Sequence, residues 1–456
     1  MGLMPVTDAM FMVPETREQP MHVGGLQLFE LPAGAGRDHL GELYRSAIAV
    51  EDVAPLFRKR PYRSPLTLGQ WAWRDDDEID LEHHVRHSAL PEPGRVRELL
   101  ALTSRLHGTL LDRKRPLWAA HLIAGLVGDR VAVYTKLHHA RMDGVSAQRL
   151  LQRSLSTDPD ARDVPVPWAR RPATRTPAQA PSGSGLLALP RAALGLTADA
   201  VGLVPTLLAL ANDALRHQAA ALPMQAPRTM LNVSITGSRR IAAESWSMDR
   251  IKEVARAGDA TLNDVVLAMC SGALRTYLLE QDALPSTPLI AMTPVSLRKD
   301  DSPEQTNAVG TILCNLATDL EHPGARLVAI RASMLHGKAT LAGLSQNQVT
   351  ALSAAVMAPL LLNSVLDLHK VAPPPFNLVI SNVPGPPEPL YWNGARLQGT
   401  YPLSIPLDGQ AMNITLTSYA GQLQFGIVGC RRSVPRLQRL LGHLEDSLQG
   451  LEAAVL

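Results

Sequence analysis

Val131–Leu151 reads VAVYTKLHHARMDGVSAQRLL, and its three parts decide the fold class. Val131–Leu137 is apolar, rich in β-branched residues and free of Gly and Pro, the pattern of a short buried strand. His138–Gly144, HHARMDG, is a polar break. From Val145 onward, Ala147, Leu150, Leu151 and Leu155 fall on one helical face. Asp143 stands just before that helix, where its carboxylate can accept the free N–H groups of the first turn. Two histidines and an aspartate thus sit on a strand-to-helix turn, a frequent address for chemistry in α/β proteins.

A neutral imidazole near its own pKa can take a proton from a hydroxyl or a thiol. Asp143 follows His139 by four residues, so it can orient that ring or brace the turn against an arginine elsewhere. Gly144 lets the backbone bend closely there. The plain alternative is that His138 and His139 are polar residues at a strand end. A zinc site needs three or four converging ligands, and HHxxxD has the spacing of neither HExxH nor a CxxC pair, so no metal is expected.

Other stretches extend the pattern. Leu111–Trp118 is LDRKRPLW, Asn263–Leu278 is NDVVLAMCSGALRTYL, Pro294–Arg298 is PVSLR and Asn377–Pro386 is NLVISNVPGP. Pro402–Tyr419 holds PLS, a DG pair and NITLTSY, and QPMHVGGLQLFE lies near the start. With HHARMDG, these matches come in the order found in bacterial wax ester synthase/diacylglycerol acyltransferases, which the chain resembles from about Pro20 almost to its C-terminus. In this family a Glu often precedes the Gly-Leu that ends the strand after LDRKRPLW. Here Ala124 holds that place, which puts a local contact in doubt but not the chemistry.

The resemblance implies an α/β fold of two chloramphenicol-acetyltransferase-like domains, with the active site in a channel between them. It implies acyl-CoA as donor and co-substrate, a long-chain alcohol or diacylglycerol as acceptor, and no cofactor. His139 is implied as general base because it alone has the HxxxD spacing. His138 supports the turn, since neighbours on an extended segment face opposite ways. Asn263, at the start of a helix, is implied as an oxyanion or substrate contact. Asp264 and Arg298 are implied as structural supports, Arg298 as the partner of Asp143. Nothing reads as a nucleophile motif such as GxSxG. Two rivals stay open: a condensation-type HHxxxD enzyme acting on a carrier protein, and a lipid-binding relative with a relic motif. The LDRKRPLW and SNVPGP contexts argue against the first, and the intact His139, Asp143, Gly144 and Asn263 against the second.

At 456 residues the chain should hold at least two domains. The expected division is 1–157, a linker with crossover helices over 158–227, and 228–456. Asp158–Gly185 is rich in Pro, Ala, Arg, Ser and Gly, and Leu186–Leu222 is Ala/Leu-rich, reading as packed helices or as a lipid-facing surface. The net charge of +2 argues against a nucleic-acid partner held by broad electrostatics. Cys270, Cys314 and Cys430 are odd in number and widely spaced, which favours a reducing compartment. No secretory leader or spanning run is evident, so a cytoplasmic enzyme touching a membrane or lipid inclusions at its periphery is expected. Arg239, Arg240 and Lys299 are generic candidates for the CoA phosphates.

Further elements are expected as follows. Met21–Leu31 is a strand with a bulge at Gly24-Gly25, and Asp80–Leu90, with His83, His84 and His87, is a polar strand. Arg95–Gly108 and Thr261–Leu279 are helices. Met412–Tyr419 and the run through Leu423, Phe425 and Ile427 form a hairpin about Gly421. Ser433 caps a last helix whose leucines form one stripe.

Overall fold

The computed structural model describes residues 2–32, 34–35, 38–63, 67, 69–171, 225–296, 309–345, 348–349, 352–353, 355–357 and 373–456. The linker, the Leu186–Leu222 segment, Arg298, Lys299 and most of 354–366 lie outside them. In chain order the first elements are β1 (Gly2–Leu3), α1 (Val6–Met12), β2 (His22–Glu30), α2 (His39–Ile48), α3 (Pro55–Arg58), β3 (Lys59–Tyr62) and β4 (Ala72–Asp75). Then come α4 (Leu81–His84), β5 (Val85–Ala89), α5 (Val96–Gly108), β6 (Trp118–Leu126), β7 (Arg130–His138) and α6 (Gly144–Arg153). The second half has β8 (Arg239–Ser247), α7 (Met248–Ala257), α8 (Leu262–Leu279), β9 (Ile290–Ser296), β10 (Val309–Asn315) and α9 (Pro323–Ala342). It closes with β11 (Leu378–Val383), β12 (Tyr391–Trp392), β13 (Ala395–Leu403), β14 (Met412–Tyr419), β15 (Gln422–Cys430) and α10 (Arg439–Val455).

The described chain forms two compact units, and they are not contiguous halves. The first gathers Met1–Arg171, Met230–Glu253 and Ser381–Glu445; the second gathers Pro172–Thr229, Val254–Ile380 and Asp446–Leu456. The simple division at 157 and 228 misses this exchange. Its physical cause is strand pairing: β13, from the C-terminal part, lies antiparallel beside β2 from Arg396↔Glu30 to Leu403↔Gly24.

The main sheet of the first unit runs β12-β13-β2-β7-β6-β5. β7 is central, and every residue after Arg130 is buried. A strand covered on both faces reads as a nearly continuous apolar run, which is why VAVYTKL shows no clean alternation. Val131, Val133 and Leu137 pack with Trp118, Ala147 and Trp168 on one face. Ala132 and Tyr134 pack with Leu99, Leu100 and Ile241 on the other.

The bulge expected at Gly24-Gly25 is absent: β2 pairs regularly with β7 from His22↔His138 to Glu30↔Arg130. The glycines serve close packing instead, since a Cβ on Gly25 would stand 2.5 Å from Leu151 Cδ1 of α6. A similar constraint explains the glycine of SNVPGP, where a Cβ on Gly385 would overlap the Ser418 carbonyl oxygen. The expected β14–β15 hairpin is present, with Ala420 and Gly421 at positive φ in its turn. β15 also pairs with β8 in antiparallel register.

Two expectations differ. Asp80–Leu90 opens as one helical turn, α4, with Asp80 Oδ1 accepting the His83 N–H at 3.1 Å, and only then becomes β5. The last helix begins at Arg439 rather than after Ser433, whose hydroxyl instead points to Cys430 Sγ at 3.5 Å. Its leucine stripe is as expected, with Leu440, Leu444, Leu448 and Leu451 buried.

In the second unit, β9 and β10 are antiparallel, and the first residues of β11 run parallel to β9. The long helix α8 is buried along most of its length. Among the described residues no helix is long and apolar enough to cross a membrane.

Candidate active site

β7 delivers the HH turn, and backbone hydrogen bonds fix it from two sides. The His138 N–H donates to Leu117 O at 3.0 Å, and the His139 N–H donates to Met21 O at 2.8 Å. The Arg141 N–H closes the turn on His138 O at 2.8 Å. Asp143 then caps α6 as expected: Oδ1 accepts the Ser146 N–H at 2.8 Å and Oδ2 the Ser146 hydroxyl at 2.9 Å. This is the usual way a helix start satisfies its free N–H groups.

The two rings have different surroundings. His138 is 0% exposed and lies on the β7 face that carries Tyr134 and Lys136. Its Nδ1 accepts the Ala140 N–H at 3.1 Å, and its Nε2 lies 3.2 Å from Glu15 Oε1. His139 is half-buried, and its ring stacks on Phe11 with centroids 4.0 Å apart. Its Nδ1 is buried with no hydrogen-bond partner, so the exposed edge of the ring is the Nε2 side. Burial lowers the His139 pKa to about 4. Asp143 and the residue's own backbone favour the protonated ring, and His138 opposes it, but burial wins. The ring is therefore neutral at pH 7, the state a proton acceptor needs.

Asp143 itself is exposed, and among the described residues no hydrogen bond joins it to either histidine. Its influence on His139 is through space. Gly144 is the first residue of α6, without positive φ, and a Cβ there would meet only Val23 Cγ1 at an ordinary 3.7 Å. The fold of the turn does not require that glycine, contrary to the sequence expectation. Arg141 is held below the turn, donating to Leu56 O at 3.0 Å with its guanidinium 4.4 Å from the Trp73 ring.

Asn263 and Asp264 lie in the second unit, at the start of α8. Asp264 is buried in a reciprocal capping box: Oδ2 accepts the Thr261 N–H at 2.8 Å and its hydroxyl at 2.7 Å, and Thr261 Oγ1 accepts the Asp264 N–H at 3.3 Å. Asn263 is half-buried on the first turn. Arg298, the expected partner of Asp143, is outside the described residues.

Of the basic candidates for CoA phosphates, Arg239 does not fit. It is buried and donates to the Thr236 and Glu18 carbonyls, and burial lowers its pKa to about 10. His84, of the second histidine cluster, is packed rather than poised: its Nδ1 lies 2.9 Å from Trp118 O and its ring stacks on Trp118 at 4.5 Å. Among the described residues no group of three or more His, Cys, Asp or Glu side chains is arranged to hold a metal.

Local spacing gives no sign of the contacts from the N-terminal arm. Met21 reaches the turn through the pairing of β2 with β7, Phe11 and Glu15 touch it from the residues just before that strand, and no periodicity announces these contacts.

Comparison with known proteins places the chain in a family. The wax ester synthase/diacylglycerol acyltransferase catalytic domain matches residues 3–266, and the C-terminal domain of the same family matches residues 305–452. A Mycobacterium tuberculosis protein named "Probable diacyglycerol O-acyltransferase tgs2" is 55% identical over the whole of both chains. The solved wax ester synthase/diacylglycerol acyltransferase of Marinobacter aquaeolei VT8 is 42% identical with a TM-score of 0.77, covering 100% of each chain. The first condensation domain of the calcium-dependent antibiotic synthetase shares the fold alone, at 15% identity and a TM-score of 0.57, covering 100% of this chain and 96% of that one. With both family domains matched in order and a relative of this identity along its full length, the chain belongs to the wax ester synthase/diacylglycerol acyltransferase family.

Proposed function

We propose that this O-acyltransferase moves a fatty acyl group directly from the thioester of acyl-CoA to the hydroxyl of a long-chain alcohol or diacylglycerol, with His139 as general base. The observation that carries this reading is the state of His139: at the end of β7, stacked on Phe11, one edge open and kept neutral by burial. His139 Nε2 takes the hydroxyl proton as the oxygen attacks the thioester carbon. The carbonyl electron pair moves onto oxygen, giving a tetrahedral oxyanion. When it collapses, the C–S bond breaks, CoA leaves as thiolate, and His139 returns the proton to sulfur. The balance closes on ester and CoA, with no acyl-enzyme and no cofactor. The negative charge that develops beside the ring raises its proton affinity at the moment of transfer, which offsets its low resting basicity.

Asn263, on the first turn of α8, is proposed as a substrate or oxyanion donor. Losing one such donor costs about 10²–10³ in kcat, so Asn263→Ala should lower kcat while leaving KM for acyl-CoA nearly unchanged. A variant with wild-type kcat would remove Asn263 from the mechanism.

The pH profile tests the base. With hexadecanol or a diacylglycerol presented in phospholipid vesicles, kcat/KM for palmitoyl-CoA should be level around neutrality. Assayed in the first moments after a jump from neutral pH, before acid unfolding, it should fall only as pH approaches about 4, where His139 takes up a proton. An acid limb centred near 6.5 would show that the group being titrated is not the buried His139 ring.

A further inference from the structure

His138 is hydrogen-bonded at Nδ1, and its Nε2 stands in close electrostatic contact with Glu15, outside hydrogen-bond geometry. Nδ1 accepts the Ala140 N–H at 3.1 Å, so it carries a lone pair. In the neutral ring the proton is then on Nε2, which lies 3.2 Å from Glu15 Oε1. The Glu15 side chain is 1% exposed. Oε1 also accepts the Met21 N–H at 3.1 Å. Oε2 accepts from Arg113 Nε, of LDRKRPLW, at 3.0 Å, and the Arg113 Nη2 stands 2.9 Å from it as an ion pair. Burial alone would push this carboxyl up, but His138, the Met21 N–H and Arg113 together bring it below the usual carboxylate range, so Glu15 is ionised at neutral pH. Met21, held by Glu15 through its N–H, uses its carbonyl to hold the His139 N–H at 2.8 Å. Arg113 also donates to Met12 O at 2.9 Å, which secures the arm carrying Phe11 against the His139 ring. One buried carboxylate thus sits at the root of the contacts to 138, 139 and 140.

We propose that Glu15 is a positioning residue for acyl transfer. It fixes the Nε2–H tautomer of His138 and, through Met21, the backbone of His139, with Arg113 as its countercharge. A carboxylate that sets the tautomer and orientation of a neighbouring histidine is a known device of catalytic sites. Here the histidine it grips is the one beside the base, and its effect reaches the base through the turn.

The proposal rests on His139 being the base, so the test includes a readout that does not. Glu15→Gln and Glu15→Leu are made in the full chain, and the side-chain ¹⁵N signals of His138 are recorded with kcat, KM and Tm. Wild type should show Nδ1 unprotonated and Nε2 protonated. Gln keeps a carbonyl oxygen for the Nε2–H, so the tautomer should persist and kcat should fall less than about tenfold. Leu removes the carboxylate facing Nε2 and leaves the tautomer held only by the 3.1 Å Ala140 contact, so the tautomers should mix. In that variant kcat should fall about a hundredfold, as for a reacting group displaced by about an ångström, with KM for palmitoyl-CoA within about twofold of wild type. A folded Leu variant with wild-type kcat, or with an unchanged His138 tautomer, overturns the proposal. If the Leu variant does not fold, the Gln variant decides: a changed tautomer with full kcat, or a loss carried by KM, overturns it. Turnover retained in His139→Ala would overturn the base assignment, while the ¹⁵N result would still report on the Glu15–His138 pair.

Discussion

His139→Ala is expected to lower kcat for CoA release by about 10²–10⁴, the range that a positioned general base supplies. The protein should remain folded. The backbone of residue 139 is held by Met21 O whatever its side chain, and the turn is held independently by the His138 ring and the Asp143 cap. Losing the imidazole leaves one face of Phe11 uncovered, a cost of packing rather than of topology. KM for acyl-CoA should change little, because the interaction removed belongs to the transition state and not to donor binding. Turnover retained within about tenfold of wild type, in a folded variant, would take His139 out of the base role.

The second large effect concerns stability in acid. His84, His121 and His139 are lowered to about 4 and His107 to about 3, in each case chiefly by burial. His22 is held well below its ordinary value for the same reason, with Lys136 and His107 adding to it. Carbonyl acceptors on His22 Nε2 (His107 O, 2.7 Å) and His107 Nε2 (Ser404 O, 3.2 Å) favour the charged rings, but burial outweighs them. In the unfolded chain all five titrate near 6.5. Below that pH the unfolded state binds protons that the folded state refuses, so the histidines' contribution is complete above about 6.5 and is lost as pH falls toward 4. Each ring contributes up to about 1.4 kcal/mol per pH unit in that window. Lys136, lowered to about 7 by burial, gives the same sign at higher pH, so stability should also decline between pH 10 and 7. The check is the urea midpoint measured from pH 7.5 to 4.5. A steady fall is expected, and a flat profile would mean that these rings do not stay neutral in the folded state.

What the sequence showed and what it hid follow from the range of the forces involved. β7, α6 and the Asp143 cap were legible because strand composition, helical spacing and capping act over a few residues. The same holds for α8 with its Thr261–Asp264 capping box, and for the β14–β15 hairpin. The pairing of β13 with β2 was not legible, because no local pattern specifies which distant strand a sheet edge accepts. The contiguous division of the chain failed for that reason. Gly24-Gly25 was a true signal with the wrong cause: a glycine in a strand marks either a bulge or a close approach, and here it is the approach of Leu151. Arg239 is a generic candidate for the CoA phosphates in the sequence, but in the fold it is buried and clamps backbone carbonyls. Glu15 carried no motif signal at all, and its role emerges only where the N-terminal arm meets β7.

The most direct test of base-assisted direct transfer is the first turnover. Wild type and His139→Ala are mixed rapidly with palmitoyl-CoA, with and without hexadecanol, and free CoA is measured as ester forms. Direct transfer requires that wild type release CoA only when the acceptor is present, in step with ester, and that the variant release it far more slowly. A stoichiometric burst of CoA from wild type without acceptor would mean that the acyl group first moves onto the protein, and His139 would then be serving a nucleophile rather than the alcohol.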